Sequence, residues 1–292
     1  MMRIKFLVNS ANSIITIRNA TRLLCSTSSA SSSSASGLYI PLSYSELKYK
    51  SVEIVLNDSL LQTNDSTEFA TRLFSTVQSL KEKQKNAIYL KVSSSMGHLI
   101  PLAAHVGFKF HHAEGDFATM LLWLGSGENK VPPFATHHVG VGAAVISDTK
   151  LLVVREKEKH AGINGWKLPG GLVNLNEEIS AAASREVFEE TGVKSRFEHI
   201  LAFRHQLNWQ FGRGDLYFVC KLAALSSAIK IDDEIEDARW MEIEEFASQT
   251  QYSLLKPVAT FLLNKTETSG LCESSMSSTI PGRDPYKFYM IS

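Results

Sequence analysis

The sequence predicts an α/β protein built from two domains. Three observations carry that expectation. The chain has 292 residues, more than one ordinary compact domain needs. Short apolar runs that read as strands lie among helix-spaced segments on both sides of its middle. Between the two halves, Gly125-Ser126-Gly127 and then Pro132-Pro133 interrupt any regular element.

The first domain is expected over residues 38–124. Val52-Glu53-Ile54-Val55-Leu56 reads as a strand. From Glu68 to Lys85 the apolar residues Phe69, Leu73, Val77 and Leu80 recur at helical spacing. Ala87–Val92 reads as a strand, and His98–His105 as a helix ended by Gly107. Met120–Leu124 closes the unit as a further strand. A linker spans residues 125–136. The second domain is expected over residues 137–264, opening with strands Val139–Ile146 and Lys150–Arg155. Residues 265–292 form a polar tail whose Tyr286-Lys287-Phe288-Tyr289-Met290 can dock as a final strand.

Residues 1–36 are set apart. The first acidic residue is Glu46, and Arg3, Lys5, Arg18 and Arg22 precede a serine-rich run. Basic, serine-rich, acid-poor composition is that of a mitochondrial transit peptide, against a plain low-complexity tail. Mitochondrial localisation is therefore expected, with cytoplasmic or nuclear as the alternative.

Lys plus Arg number 30 and Asp plus Glu number 30, so the formal net charge is zero. A grip on long nucleic acid calls for a basic excess, which is missing. A small anionic substrate remains compatible, because a bound cation supplies positive charge locally. No apolar run reaches the ~18 residues of a membrane span. The three cysteines, Cys25, Cys220 and Cys272, have no metal or disulfide spacing, which suits a reducing compartment.

The chemistry concentrates in residues 170–193, GGLVNLNEEISAAASREVFEETGV. Gly170 and Gly171 allow a tight loop after Pro169. Asn176 suits an N-cap, Glu177 and Glu178 suit a first helical turn, and Gly192 suits a helix stop. On a helical wheel Ile179, Ala183 and Val187 share one stripe. Glu186, Glu189 and Glu190 are neighbours, with Glu190 inside the apolar arc and Glu186 beside it. Carboxylates pressed against a buried face are costly unless something positive meets them. Arg185 covers part of that charge, and a divalent cation with oxygen ligands would cover the rest. Alone, such a segment is more often a solvated acidic helix face; the agreement of loop, stop and carboxylate placement shifts the balance.

The segment fills the pattern G-x5-E-x7-R-E-U-x-E-E-x-G-U, where U is bulky and apolar. Gly171, Glu177, Arg185, Glu186, Val187, Glu189, Glu190, Gly192 and Val193 occupy its fixed positions. It is identified as a Nudix box. His137–Ala143, Trp166–Gly171 and Gly107–Ala113 are similar to one branch of the Nudix hydrolase family. That branch carries a pre-Nudix domain and holds plant ADP-ribose/NADH-type members and animal proteins of the antisense basic fibroblast growth factor type.

The resemblance implies a Nudix α/β/α sandwich with a mixed sheet, preceded by a smaller α/β acetyltransferase-like domain. It implies Mg²⁺-dependent hydrolysis of a diphosphate bond in a nucleoside diphosphate linked to another group, ADP-ribose or NADH-like. Mn²⁺ can substitute. A catalytically weak scaffold with a binding or regulatory role is the alternative. Glu186, Glu189 and Glu190 match the catalytic and metal-binding positions, and Glu186 also matches a general-base position. Gly170 would add a carbonyl ligand, Glu234 an outlying carboxylate, and Arg185 would orient Glu189. Arg155, Arg204 and Trp209 are candidate substrate contacts. The partner is a small nucleotide-type molecule, with no long nucleic acid and no membrane. A homodimer is common among such relatives. Adjacent His111-His112 and His137-His138 resemble metal pairs, but neighbours on a strand point to opposite faces, which favours a structural role.

Overall fold

The computed structural model describes residues 40–57, 66–157, 165–264, 270–277 and 285–291. The serine-rich segment before residue 37 lies outside the described residues. The chain divides into two compact units, residues 1–134 and 135–292.

In the first unit, β1 (Ser45–Leu47), β2 (Ser51–Leu56), β3 (Ala87–Ser93), β4 (Lys109–Glu114) and β5 (Phe117–Trp123) form one sheet in the order β1-β2-β3-β5-β4. β2 and β3 are parallel, joined through helix α1 (Ser66–Glu82), and the other pairs are antiparallel. α1 buries Phe69, Leu73, Val77 and Leu80, the stripe its spacing predicts. They meet Ile54, Leu56, Ile88, Leu90 and Met120 from the sheet. The segment expected as a helix from His98 divides into a 3₁₀ turn, Ser94–Leu99, and helix α2 (Ile100–Val106). Pro101 sits in the first turn of α2, where its missing N–H costs nothing. Gly107 ends α2 at φ 109°, a conformation that favours glycine.

His111 and His112 correct an expectation. The β4–β5 register slips between Phe110 and His112. The extra residue lets both rings turn to one side, with Nδ1 to Nδ1 at 2.8 Å. His112 stacks on Phe134 at 4.1 Å, and His111 Nε2 meets the Pro132 carbonyl. This pair fastens the segment after β5 to its own unit.

The second unit is built on a seven-stranded mixed sheet in the order β10-β7-β6-β9-β8-β11-β12. Its strands are β6 (His137–Ser147), β7 (Lys150–Glu156), β8 (Ser195–Gln206), β9 (Gly214–Ala224), β10 (Ile235–Glu242), β11 (Leu271–Met276) and β12 (Tyr286–Ile291). β6 and β9 are parallel. Alternation along the strands supplies two faces. Val141, Ala143, Val145 and Leu222 pack with helix α3 (Ile179–Thr191) on one side. Ala144, Leu151, Val153 and Val219 pack with α4 (Ile243–Gln249) and α5 (Leu255–Asn264) on the other. The result is helix, sheet, helix. β11 and β12, in the segment read as a polar tail, continue this sheet beyond β8.

Among the described residues no helix is long and apolar enough to cross a membrane. Cys220 lies at zero exposure in the core, where burial pushes its thiol up to about 12. Cys272 is partly buried. At pH 8 a thiol of pKa near 12 offers roughly a thousandfold less thiolate than one of ordinary pKa. Alkylation of the native chain is expected to label Cys272 and spare Cys220 until denaturant is added. Peptide mapping that finds both labelled at the same rate would contradict this packing.

Candidate functional site

The glycine loop is stitched along β6. Ala143 N–H donates to the Pro169 carbonyl (2.8 Å), Val141 N–H to the Gly171 carbonyl (2.9 Å), and Val173 N–H to the Val139 carbonyl (2.9 Å). Gly170 stands so close to that strand that a Cβ would lie 2.1 Å from the Val141 carbonyl oxygen. A Cβ at Gly171 would lie 2.7 Å from both Glu186 carboxylate oxygens. The two glycines thus serve different neighbours, the strand and the helix.

α3 follows, burying Ala182, Ala183 and Val187 on the sheet, and it stops at Gly192 with φ 68°. It begins at Ile179, with Glu178 in the cap position. Asn176, expected as the cap, instead sits in the preceding turn at φ 61°, a conformation asparagine tolerates. Glu177 takes over the loop: its Oε2 accepts from Asn174 N–H at 2.9 Å.

Arg185 is the hub. Its guanidinium donates to Glu177 at 2.7 and 2.9 Å, to Glu186 at 2.8 Å, to Glu189 at 2.8 Å and to the Leu172 carbonyl at 3.1 Å. The Arg185 hydrogen bonds hold Glu177 below the usual carboxylate range. Burial raises Glu186 in spite of Arg185. Glu190 turns the other way, into the sheet side, and accepts from Gly170 N–H at 3.0 Å. Lys167 Nζ is 3.8 Å from it. Burial pushes Glu190 up to about 7, against the pull of Lys167 and Gly170. Three carboxylates therefore share one guanidinium, an excess of two negative charges (3 − 1), with a fourth carboxylate buried behind them.

On the Gly170 side the fold opens a cleft of about 220 Å³ lined by Glu156, Lys167, Arg204, Tyr217, Tyr252 and the start of α5. Lys167 pairs with Glu156. Of the candidate substrate contacts, Arg204 lines this cleft, whereas Arg155 and Trp209 do not. Arg155 is held by Glu236 (3.2 Å) and Asp237 (3.4 Å) and lies over the Trp166 ring. Trp209 belongs to the β8–β9 connection, where its backbone N–H meets the Arg213 carbonyl. Glu234 lies exposed in the turn before β10, its carbonyl accepting from Lys157. Sequence reasoning missed Lys167 and Tyr217. Lys167 stands inside the quoted Trp166–Gly171 run. Tyr217 had a signal in Gly140 and Gly142, since a Cβ at Gly142 would lie 2.1 Å from its hydroxyl.

A NUDIX domain model matches residues 136–260, and a second model, described as Nudix hydrolase domain, matches residues 42–124. Nudix hydrolase 2 of Arabidopsis thaliana is 39% identical over 208 residues, covering 69% of this chain and 75% of the relative. Nucleoside diphosphate-linked moiety X motif 6 of Xenopus laevis is 46% identical over 154 residues, 51% of this chain and 70% of that protein. The chain belongs to the Nudix hydrolase family. It does not span all of every relative: it matches Nudix hydrolase 8 of Arabidopsis thaliana at 42% identity over half of that protein's length.

The loop and α3 are thus the Nudix box of this chain. Among the described residues no three His, Cys, Asp or Glu side chains are grouped as a metal cage; Glu186 and Glu189 are drawn onto Arg185 instead. The donor set nevertheless fits a divalent cation. It is all carboxylate oxygen, it carries excess negative charge, and Glu186 reaches the loop only because Gly171 has no side chain. A consequence follows for the metal-free protein. Glu190 is ordinary at 4.5 unfolded and about 7 folded, so between those values the native state binds more protons. The contribution of Glu190 to stability then falls as pH rises through that window. Urea unfolding in chelator at pH 5 and 7.5 should show this loss shrinking in Glu190→Gln. An identical pH dependence in the variant would refute the burial argument.

Proposed function

We propose that this chain is a Mg²⁺-dependent pyrophosphohydrolase acting on a nucleoside diphosphate linked to another group, of the ADP-ribose or NADH type. The observation that carries it is the carboxylate excess around Arg185, set on a glycine loop beside a cleft with Lys167 and Arg204 in its wall. Glu186, Glu189 and Glu190 would hold the metal, with the Gly170 carbonyl as a further ligand and Mn²⁺ as a substitute. The metal when bound neutralises phosphate oxygens and polarises a water.

The chain's own groups do the rest. Arg185 fixes the carboxylates through Glu177 and Glu189, limiting the rotamers they must give up on binding. Lys167 offers an ammonium at the cleft wall, partly neutralised by Glu156 and within 3.8 Å of Glu190. The apolar packing of α3 fixes where the carboxylates stand relative to the loop, which is the positioning such chemistry needs. Glu234 would add a carboxylate after movement of its turn.

The test is a hydrolysis screen of the full chain over ADP-ribose, NADH, coenzyme A and dinucleoside polyphosphates, with Mg²⁺ and with excess chelator. The expected result is turnover of at least one, abolished by chelator. Equal turnover in chelator contradicts the reading, and no turnover of any substrate with Mg²⁺ favours a scaffold role. We further propose a mitochondrial address, a homodimer and an acetyltransferase-like first unit. The address is checked by import of a fusion carrying residues 1–36.

A further inference from the structure

We propose that the outer face of the Arg204 guanidinium is the stacking platform for the aromatic base of the nucleotide, an inference that rests on the function just proposed. Arg204 lies on β8 and faces the cleft that contains Gly170, with about a third of its side chain exposed. Its inner face lies over the Tyr217 ring, 5.4 Å from the centroid. Asp215, on β9 and 5% exposed, pairs with Nη2 and fixes the plane. Tyr217 is itself seated by β6, where Gly140 and Gly142 leave the room its ring needs. Three neighbouring strands thus seat one guanidinium between the Tyr217 ring and Asp215, in the wall of the cleft.

The buried Asp215 carboxylate engages one terminal nitrogen and offsets part of the charge this group presents to a phosphate. What the guanidinium retains is a rigid, weakly hydrated plane, and planes of this kind stack on bases. Stacking reads the π-face rather than base edges, so it tolerates any base. The structure therefore assigns recognition of a base, without strong choice among bases, to Arg204. Tyr252, Leu254 and Leu255 line the same cleft and offer apolar surface beside the stack.

The experiment uses Arg204→Lys, which keeps the charge and removes the plane. Steady-state kinetics with Mg²⁺ compare ADP-ribose with its base-free counterpart, two riboses joined by a diphosphate. The variant is expected to raise KM for ADP-ribose about tenfold, the scale of one lost stack. The loss on the base-free substrate should be at least fivefold smaller. Replacing adenine by guanine or uracil in the wild-type reaction should change KM by less than about fivefold, less than one stack is worth. An unchanged KM in the lysine variant overturns the proposal in favour of a charge contact. An equal loss on both substrates overturns it in favour of a fold or diphosphate role. Thermal shift with AMP in chelator gives a second readout. AMP should raise Tm for the wild type and not for the variant. If nothing is hydrolysed the functional reading fails, and the AMP shift alone decides this one.

Discussion

Glu189→Gln is expected to lower diphosphate hydrolysis by about a thousandfold while leaving the fold intact. Metal-ion stabilisation of a phosphoryl transition state supplies several kcal/mol, and each 1.36 kcal/mol is tenfold in rate. Against that, Glu189 does little for stability. Its side chain is 52% exposed and makes one ion pair, with Arg185. Exposed i, i+4 pairs are worth about 0.3–0.5 kcal/mol. The readout is therefore a split: kcat/KM for the screened substrate collapses, and the unfolding midpoint moves by no more than about 2 °C. A variant that keeps activity within twofold would remove Glu189 from the machinery. A variant that loses activity only by unfolding would show it in the midpoint.

Gly170→Ala is expected to act in the opposite way, through the fold. A Cβ there would lie 2.1 Å from the Val141 carbonyl oxygen and 2.8 Å from the Gly142 Cα. Both are backbone atoms of β6, which at this point is paired with β9 and hydrogen-bonded to the loop itself, so relief requires the loop to leave the strand. The backbone also sits at φ 156°. Costs of this kind reach about 3 kcal/mol or more, which for a domain of this size lowers Tm by roughly 6–12 °C. Gly171→Ala is the informative partner. Its Cβ would meet only the end of Glu186, a side chain that can rotate. It should keep most of the stability and lose activity by displacing that carboxylate. Calorimetry and kinetics on both variants check the contrast; equal Tm losses would mean that the loop, not the strand, bears the strain.

These expectations show what could be read from the residues and what could not. Local periodicity placed α1, because Phe69, Leu73, Val77 and Leu80 have only one way to face a core. It placed α3 for the same reason, and it placed Glu190 inside the buried arc. Glycine spacing marked the loop, since a positive φ and a close approach leave little else. The misses are non-local or depend on one extra residue. The bulge that turns His111 beside His112 has no signature in composition; it exists because β4 and β5 are out of step by one. Asn176 is a good cap by type, but Glu177 is claimed by Arg185, and the helix starts later. Arg204 was named from the sequence, but its neighbours Asp215 and Tyr217 were not, because only the pairing of β8 with β9 brings them to it. Trp209 and Arg155 were chosen by type; the fold pairs Arg155 with Glu236 and Asp237 and places Trp209 in the β8–β9 connection, outside the cleft lining.

Titration of Mn²⁺ into the full chain, followed by its paramagnetic resonance signal, tests the convergence of Glu186, Glu189 and Glu190 most directly. The account predicts a bound ion whose affinity falls at least about tenfold in each of Glu186→Gln, Glu189→Gln and Glu190→Gln. Unchanged affinity in all three variants would mean that these carboxylates serve Arg185 alone.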